Sequence, residues 1–260
     1  MPKRRLVIYG ILFKRWKMSE NWQERTALLL SSEQLDKLRK AQVLVVGLGG
    51  VGSYAAEALA RSGIGALTLV DGDQVDITNI NRQLIALHST VGQEKTRLLE
   101  QRLKDINPQV QITTRSHFLN PEDFEKLLSE QKYDYVIDAI DSVSPKIYLI
   151  LAAKRTKTKI ISAMGAGGKT DPSKIKVTDI SKTKEDFLAR TIRKRLKKHG
   201  IRKGVKCVFS TELQNKASLE YTDNTGYKKS YYGTISYMPA LFGLFAAAEV
   251  IREIAGLKKD

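Results

Sequence analysis

The chain carries one cysteine, Cys207, in 260 residues. That excludes an intramolecular disulfide, and it excludes a zinc site built from paired CxxC motifs. Such low cysteine usage fits a reducing, cytoplasmic setting. Long apolar runs are missing as well. The most apolar stretch, 237–251, is interrupted by Pro239 and Glu249, whereas a membrane-spanning helix needs about 20 apolar residues. It reads as a buried or interfacial helix, and contact of that helix with a membrane surface stays open. No internal repeat and no low-complexity linker divides the chain. Acid is scarce relative to base: 28 Asp and Glu face 44 Lys and Arg, a formal charge of +16. Such an excess favours polyanionic partners, nucleic acid or an acidic membrane surface. On charge alone, a merely basic and well-solvated surface accounts for it equally well. The remaining composition, 42% hydrophobic and 28% charged, is that of an ordinary globular protein with enough chain to bury a core.

The N-terminus lacks the small-residue cleavage site of a signal peptide. Lys3, Arg4, Arg5, Lys14, Arg15 and Lys17 flank the apolar run 6–13, which leads into Lys-Arg-Trp-Lys. Residues 1–17 are read as a basic arm or a misassigned start, with translation beginning at Met18. Without them the charge is still about +10. Residues 18–260 then read as a single domain.

Strand and helix patterns alternate along that domain. The β-branched run 42–47 ends in glycine and reads as a buried parallel strand. Residues 51–62 read as a helix with alanines on its packing face. Strands are expected at 66–70, 110–114, 133–138 and 159–162, and helices at 91–106, 121–130 and 145–155. Asn107-Pro108 stops the second helix, and Pro121 suits the first turn of the third. This alternation predicts an α/β, Rossmann-like, mainly parallel sheet with helices on both faces. After Met164 the pattern changes. Gly165, Gly167 and Gly168 make a turn, 174–179 and 207–211 read as strands, and 185–198 as a strongly basic helix. Residues 213–232 read as a polar loop, and 238–255 as the last helix. A nucleotide-binding core at about 40–165 is thus followed by a C-terminal elaboration, 166–260.

Gly47-Leu-Gly49-Gly50-Val-Gly52 follows a predicted strand and opens a helix, the context that gives a glycine fingerprint meaning. Glycines let the backbone approach a phosphate, and the helix start favours negative charge. Asp71 ends the next strand, where a carboxylate accepts hydrogen bonds from ribose hydroxyls. A dinucleotide redox cofactor is the default for this fingerprint, but three features argue against it. Arg82, in Asn79-Ile-Asn81-Arg82-Gln83, is a phosphate-reaching cation that hydride transfer does not need. Lys95 supplies a second ammonium. Asp138-Ala-Ile-Asp141-Ser142 ends the fourth strand, where a carboxylate suits Mg²⁺ shared with phosphate. Each has a plainer reading: solvated ion pairs for Arg82 and Lys95, turn formers for Asn79 and Asn81, and a helix N-cap for Asp141.

The series GLGGVGS (47–53), Asp71, NINRQ (79–83), Lys95 and DAIDS (138–142) resembles the adenylating superfamily of ubiquitin-activating enzymes and bacterial sulfur-carrier adenylyltransferases (ThiF/MoeB-type). Arg25 matches that family's N-terminal arginine, which often reaches the nucleotide of the neighbouring subunit. The phrases GVGSYAAEALARSGIG, DAIDSVSPK, GAGGKTDP and CVFSTE are similar, more narrowly, to the tRNA threonylcarbamoyladenosine dehydratases. The resemblance covers roughly 20–256.

It implies a ligase-type reaction using ATP and Mg²⁺. The threonyl carboxylate of N6-threonylcarbamoyladenosine in tRNA would be adenylated, and a ureido nitrogen of the same side chain would close a ring with release of AMP. It also implies a homodimer, and leaves room for a sulfur-transfer protein partner. Arg82, Lys95, Arg25 and Asp141 would be catalytic, with Asp141 holding the metal. Gly47, Gly49, Gly50, Gly52, Ser53, Asp71, Asp73, Asn79, Asn81, Gln83, Asp138 and Ser142 would hold the nucleotide. The alternative within the superfamily is activation of the C-terminus of a ubiquitin-like or sulfur-carrier protein.

Two features bear on that choice. Cys207 lies in an apolar, strand-like run and reads as a buried structural cysteine rather than a thioester nucleophile. Between Arg190 and Lys206 stand nine Lys or Arg and no acid. Arg190, Arg193, Lys194, Arg195, Lys197 and Lys198 would surround the basic helix and neutralise tRNA phosphates. An exposed lysine-rich helix is the plainer reading. Tyr227-Lys-Lys-Ser-Tyr-Tyr232 mixes cations with aromatics that stack on bases, unless the core buries the tyrosines.

Overall fold

The structure is a computed structural model that describes residues 21–221 and 230–257. The expected arm at 1–17 and the Tyr-Lys-Lys part of the aromatic segment, 227–229, lie outside the described residues.

Seven strands form one sheet: β1 (Gln42–Val46), β2 (Ala66–Val70), β3 (Gln111–Arg115), β4 (Tyr135–Asp138), β5 (Ile160–Ala163), β6 (Ile175–Asp179) and β7 (Lys206–Ser210). Their spatial order is β3-β2-β1-β4-β5-β7-β6. Every neighbouring pair is parallel except β6–β7. The expected mainly parallel, helix-covered sheet is what forms. Strand order reverses between β1 and β4, and ligands bind beyond the carboxyl ends of strands at such a switch point. β1 shows why the sheet needs two helical layers. Val43 and Val45 join one apolar cluster, while Leu44 and Val46 join the other, because successive side chains of a strand point to opposite faces.

One face is covered by α2 (Ser32–Lys40), α3 (Gly52–Arg61), α4 (Lys95–Ile106) and α8 (Tyr237–Ala255), the other by α5 (Pro121–Glu130), α6 (Val143–Arg155) and α7 (Phe187–Lys198). A short α1 (Glu24–Leu29) precedes α2. Neither N-terminal helix is among the expected elements. The signal for α2 is nevertheless present: Ser31 and Gln34 form a reciprocal capping box, a sequence-visible start signature.

Two expectations are corrected. The helix expected from residue 91 begins at Lys95, because Gly92 sits at φ +83° and its N–H bonds to the Val75 carbonyl, turning the chain first. The stretch read as a polar loop, 213–232, contains β8 (Leu219–Tyr221) paired antiparallel with β9 (Ser230–Tyr232). Among the described residues no helix is long and apolar enough to cross a membrane.

Candidate active site

The glycine turn is built by close packing at the switch point. Gly47 has φ +87°, which favours glycine, and its Cα lies against the Ala139 carbonyl beyond β4. A Cβ on Gly52 would overlap the Gly47 carbonyl oxygen. The turn thus closes onto the first residue of α3, and Ser53 locks it. The Ser53 hydroxyl donates to the Gly49 carbonyl at 2.6 Å, and the side chain is wholly buried. Ser53 thus braces the turn from within.

Asp71 reaches the same turn. Its Oδ2 accepts from the Leu48 N–H at 2.6 Å and its Oδ1 from the Asp73 N–H at 2.8 Å. Burial raises its carboxyl above the ordinary range against the pull of Lys95 and these two N–H groups. Lys95, buried, pairs with Asp73 at 2.8 Å. Asp73 keeps an exposed face, so the pair stands at the rim with its cation inward. Residues 79–83 close the other side. The Arg82 carbonyl packs on Gly50 and the Gln83 carboxamide on Gly49. Arg82 Nη1 donates to the Thr78 carbonyl (2.8 Å) and to Asn81 Oδ1 (2.9 Å). Asn81 Nδ2 donates to the Thr234 carbonyl at 2.9 Å. Asn79 is nearly buried and its Oδ1 accepts from the Asp76 N–H. Both asparagines therefore help to hold the loop in place. Gln83 Oε1 is buried and has no hydrogen-bond partner among the described residues.

Beyond β4 the two aspartates divide their work. Asp138 is wholly buried and holds Lys146 Nζ at 2.8 Å and the Ser162 hydroxyl at 2.6 Å. Its other oxygen accepts from the Ile140 N–H at 3.1 Å. A carboxylate so enclosed shapes the loop 139–142. That loop carries Asp141 out to solvent. Ser142, not Asp141, takes the N-cap position of α6, and its hydroxyl donates to Asp141 Oδ1 at 3.3 Å. Among the described residues no group of three or more His, Cys, Asp or Glu could enclose a metal. An exposed carboxylate beside a phosphate site fits Mg²⁺, which keeps waters and borrows phosphate oxygens.

Arg25 is not brought to this crevice by its own chain. It is exposed on α1, and the neighbouring Gln23 packs on Gly63 at the far end of α3. A helix of that length separates its ends by about 15 Å.

Three residues without a role in the sequence reading belong to the same sheet edge: Lys146, and the buried pair Lys169–Asp186 at 2.6 Å. Lys146 and Lys169 stand in the phrases DAIDSVSPK and GAGGKTDP, but nothing local marks their distant partners. Cys207 is buried, and its thiol donates to the Thr178 carbonyl at 3.4 Å. Burial pushes the thiol up to about 12, so it is not a thiolate nucleophile near neutrality.

The cations of α7 do not surround it. Ala189, Ile192 and Leu196 are buried against the core, so the charge occupies the outer side. Arg193 is half-buried and donates to the Thr183 carbonyl and hydroxyl, which assigns it to fastening the helix. Arg190, Lys194, Arg195, Lys197 and Lys198 are exposed. Arg190, Lys194, Arg195 and Lys198 with Thr191 line an open hollow of about 360 Å³. Arg195 Nη1 reaches the Ser144 hydroxyl at 3.2 Å, three residues beyond Asp141, so the cationic surface adjoins the loop that carries that carboxylate.

These features define a doubly wound nucleotide-binding α/β protein whose crevice gathers cations and carboxylates around a glycine turn. The chain belongs to the ThiF family, whose model matches residues 23–260. It is 41% identical over 257 residues to the tRNA threonylcarbamoyladenosine dehydratase of Escherichia coli, covering 91% of this chain and 96% of that one. It is 48% identical over 188 residues to the enzyme of that name from Bacillus subtilis, covering 72% and 74% respectively. The crystal structure of E. coli tRNA N6-threonylcarbamoyladenosine dehydratase in complex with ATP superimposes with a TM-score of 0.82 at 40% identity, over 92% of this chain and 96% of that one.

Two glycines of the turn should respond differently to substitution. A Cβ on Gly49 would meet only the end of the Gln83 side chain, at an ordinary 3.5 Å. Gly49→Ala is expected to fold normally yet bind ATP about tenfold or more weakly, because its methyl stands where backbone and phosphate meet. Gly52→Ala, which forces the turn open, is expected to lose stability instead. Calorimetric titration with ATP and thermal melting separate the two. Undiminished ATP affinity in Gly49→Ala would remove the turn from the phosphate site.

Proposed function

We propose that this chain adenylates the threonyl carboxylate of N6-threonylcarbamoyladenosine in tRNA and then cyclises it, releasing pyrophosphate and AMP. The observation that carries the reading is the gathering of Asp71, Lys95 and the segment 79–83, which carries Arg82, around one glycine turn, in a chain matched nearly end to end by dehydratases of that name. A carboxylate is a poor acyl donor because its leaving group is oxide. Attack of its oxygen on the α-phosphorus of ATP expels pyrophosphate and makes a mixed anhydride. A ureido nitrogen then bonds to the acyl carbon, AMP departs with the electron pair of the broken C–O bond, and the nitrogen gives up its proton. Only the nitrogen farther from the carboxylate closes a five-membered ring. Ring closure is intramolecular, so no protein nucleophile is needed, consistent with a buried Cys207.

The protein's part is positioning and charge stabilisation. Asp71 holds the ribose, and Arg82 and Lys95 face charge building on the transferring phosphate. Asp141 would hold Mg²⁺, which supplies charge neutralisation on the triphosphate. Arg25, at the far end of α3, completes the crevice of a second subunit, so the active form is a homodimer. The core at 40–165 holds ATP and residues 166–260 hold the tRNA; the work belongs where tRNA is, in the cytoplasm. The balance contains no sulfur, so the chemistry does not need a sulfur-transfer partner.

The direct test is mass spectrometry of threonylcarbamoyl-modified tRNA incubated with protein, ATP and Mg²⁺. Loss of one water from the adenosine derivative, with stoichiometric AMP and pyrophosphate, is expected. An adenylated carrier protein with unchanged tRNA would replace this reading with the carrier-activating one.

The outer side of α7 gives a second test. Lys194→Glu, Lys197→Glu and Lys198→Glu together are expected to weaken tRNA binding and to reduce the slope of log affinity against log salt by about one for each phosphate no longer neutralised. ATP binding should not change. An unaltered salt slope would leave α7 as a solvated face only.

A further inference from the structure

The charged side of α7 ends in an aromatic ring. Phe187, Arg190, Thr191, Lys194, Arg195 and Lys198 recur at intervals of three and four, so they share one stripe of the helix. Ala189, Ile192 and Leu196 form the stripe that is buried. Four cations of the outer stripe, with Thr191, line the open hollow of about 360 Å³. Phe187 stands at the head of this row. Its side chain is 41% exposed, and the Arg190 guanidinium lies over its ring, 6.0 Å from the centroid. Leu188, the next residue, packs against an apolar cluster of the core, whereas Phe187 stays at the surface. From Phe187 to Lys198 the row runs about 16 Å.

The aromatic end of the row is tied to the carboxyl edge of the sheet. Asp186, just before Phe187, accepts from the Ala189 N–H at 2.8 Å and caps α7. It also pairs at 2.6 Å with Lys169, in the segment that follows β5. Lys169 Nζ in turn donates to the carbonyl of Ser210, the last residue of β7. The glycine turn and Asp141 stand on this same edge, after β1 and β4. A single exposed phenylalanine is ordinary. This one continues a row of cations, and the two kinds of group have one ligand in common. Cations take phosphates whether a strand is paired or not. An aromatic ring or a guanidinium plane takes the face of a base. An unpaired nucleotide offers both, while the bases of a duplex are already stacked on one another.

We propose that Phe187, with Arg190, is a stacking platform for an unpaired base of the RNA, while Lys194, Arg195 and Lys198 hold phosphates of the same strand. The inference rests on the tRNA reading above. It makes the outer side of α7 a reader of single-stranded loops and not a general polyanion surface. Chemistry on a base requires that base outside a duplex. A strand held with its bases splayed at the carboxyl edge brings a neighbouring adenosine toward the crevice. A stem, whose phosphates the same cations neutralise, gains nothing from the ring.

The experiment measures, by fluorescence anisotropy, the affinity of the full chain for three RNAs with equal numbers of phosphates. They are an unstructured single strand, the same strand made of abasic sugars, and a blunt duplex. Wild type is compared with Phe187→Ala, Phe187→Trp and the double variant Lys194→Glu, Lys198→Glu, with ATP affinity and melting temperature as controls. Wild type is expected to prefer the base-bearing strand to the abasic one. Phe187→Ala should lose about tenfold on the base-bearing strand alone, with its salt slope unchanged, and Phe187→Trp should restore the affinity. The double variant should weaken on all three RNAs and show a shallower salt slope. In the cyclisation assay Phe187→Ala should raise KM for modified tRNA and keep kcat. A wild type that binds the abasic strand as tightly as the base-bearing one overturns the proposal without any variant. So does an equal loss by Phe187→Ala on all three RNAs, or no loss at all. Failure of the tRNA reading is seen separately, as a wild-type protein that binds none of the three and forms no cyclised product.

Discussion

Arg82→Ala is expected to remain folded and to lower the adenylation rate by about 10³-fold, the scale seen when a cation is removed from a transferring phosphoryl group. Arg82 is held by an ordered chain of hydrogen bonds. Thr234 anchors Asn81, Asn81 and Thr78 anchor one guanidinium nitrogen, and the Arg82 backbone leans on Gly50. Two of the guanidinium's three nitrogens form none of these bonds and are left to meet phosphate oxygens. Because the side chain is only half-buried, its removal leaves no cavity and no orphaned partner inside the core. The loss should therefore fall on the chemical step and not on stability. Arg82→Lys restores a charge but not a fork of planar donors, and should recover only part of the rate. The measurement is pyrophosphate exchange into ATP, dependent on modified tRNA, with a melting curve as control. An exchange rate within a few-fold of wild type would show that Arg82 only braces the loop.

The second large effect falls on stability. Lys146 and Asp138 are both wholly removed from solvent, 2.8 Å apart, with Ser162 and the Ala163 carbonyl completing the network. Lys146→Ala strips the counter-charge and leaves a carboxylate inside the protein. Breaking one side of such a pair costs about 3–5 kcal/mol. Replacing both partners with apolar groups of similar shape removes the uncompensated charge, so Lys146→Met with Asp138→Leu should recover most of that loss. Nucleotide affinity should not return with it, because Asp138 also holds the Ile140 N–H and thereby the loop that presents Asp141. Urea unfolding of the single and double variants measures the first point, and ATP titration the second. A single variant within about 1 kcal/mol of wild type would mean that water reaches the carboxylate, since only a dry site carries the full cost.

Much of the crevice is legible in the sequence because it is written in short-range signals. A β-branched run, a glycine turn and an alanine-rich helix follow one another without a break, and each constrains its own backbone. The carboxyl end of a parallel strand is predictable as soon as the strand is, which is how Asp71 and Asp141 can be placed. The basic character of α7 is equally plain. Its orientation is not, since Arg193 lies among five other cations in sequence and is separated from them only by which side of the helix meets the core. The bond from the Ser53 hydroxyl to the Gly49 carbonyl is hidden for a related reason: nothing in the order of residues says which way that side chain turns.

Local chemistry therefore sufficed to indicate a parallel α/β sheet, a glycine turn between a strand and a helix, and an excess of positive charge, for each depends on residues close together along the chain. What needed the folded chain were the pairings across it: Asp138 with Lys146, Lys169 with Asp186, and Arg25 set at the wrong end of α3 for its own crevice. Those arise from the order in which strands lie side by side and from the direction in which each crossover returns. That order is decided by the burial of whole faces, a free energy summed over the entire core and carried by no single motif.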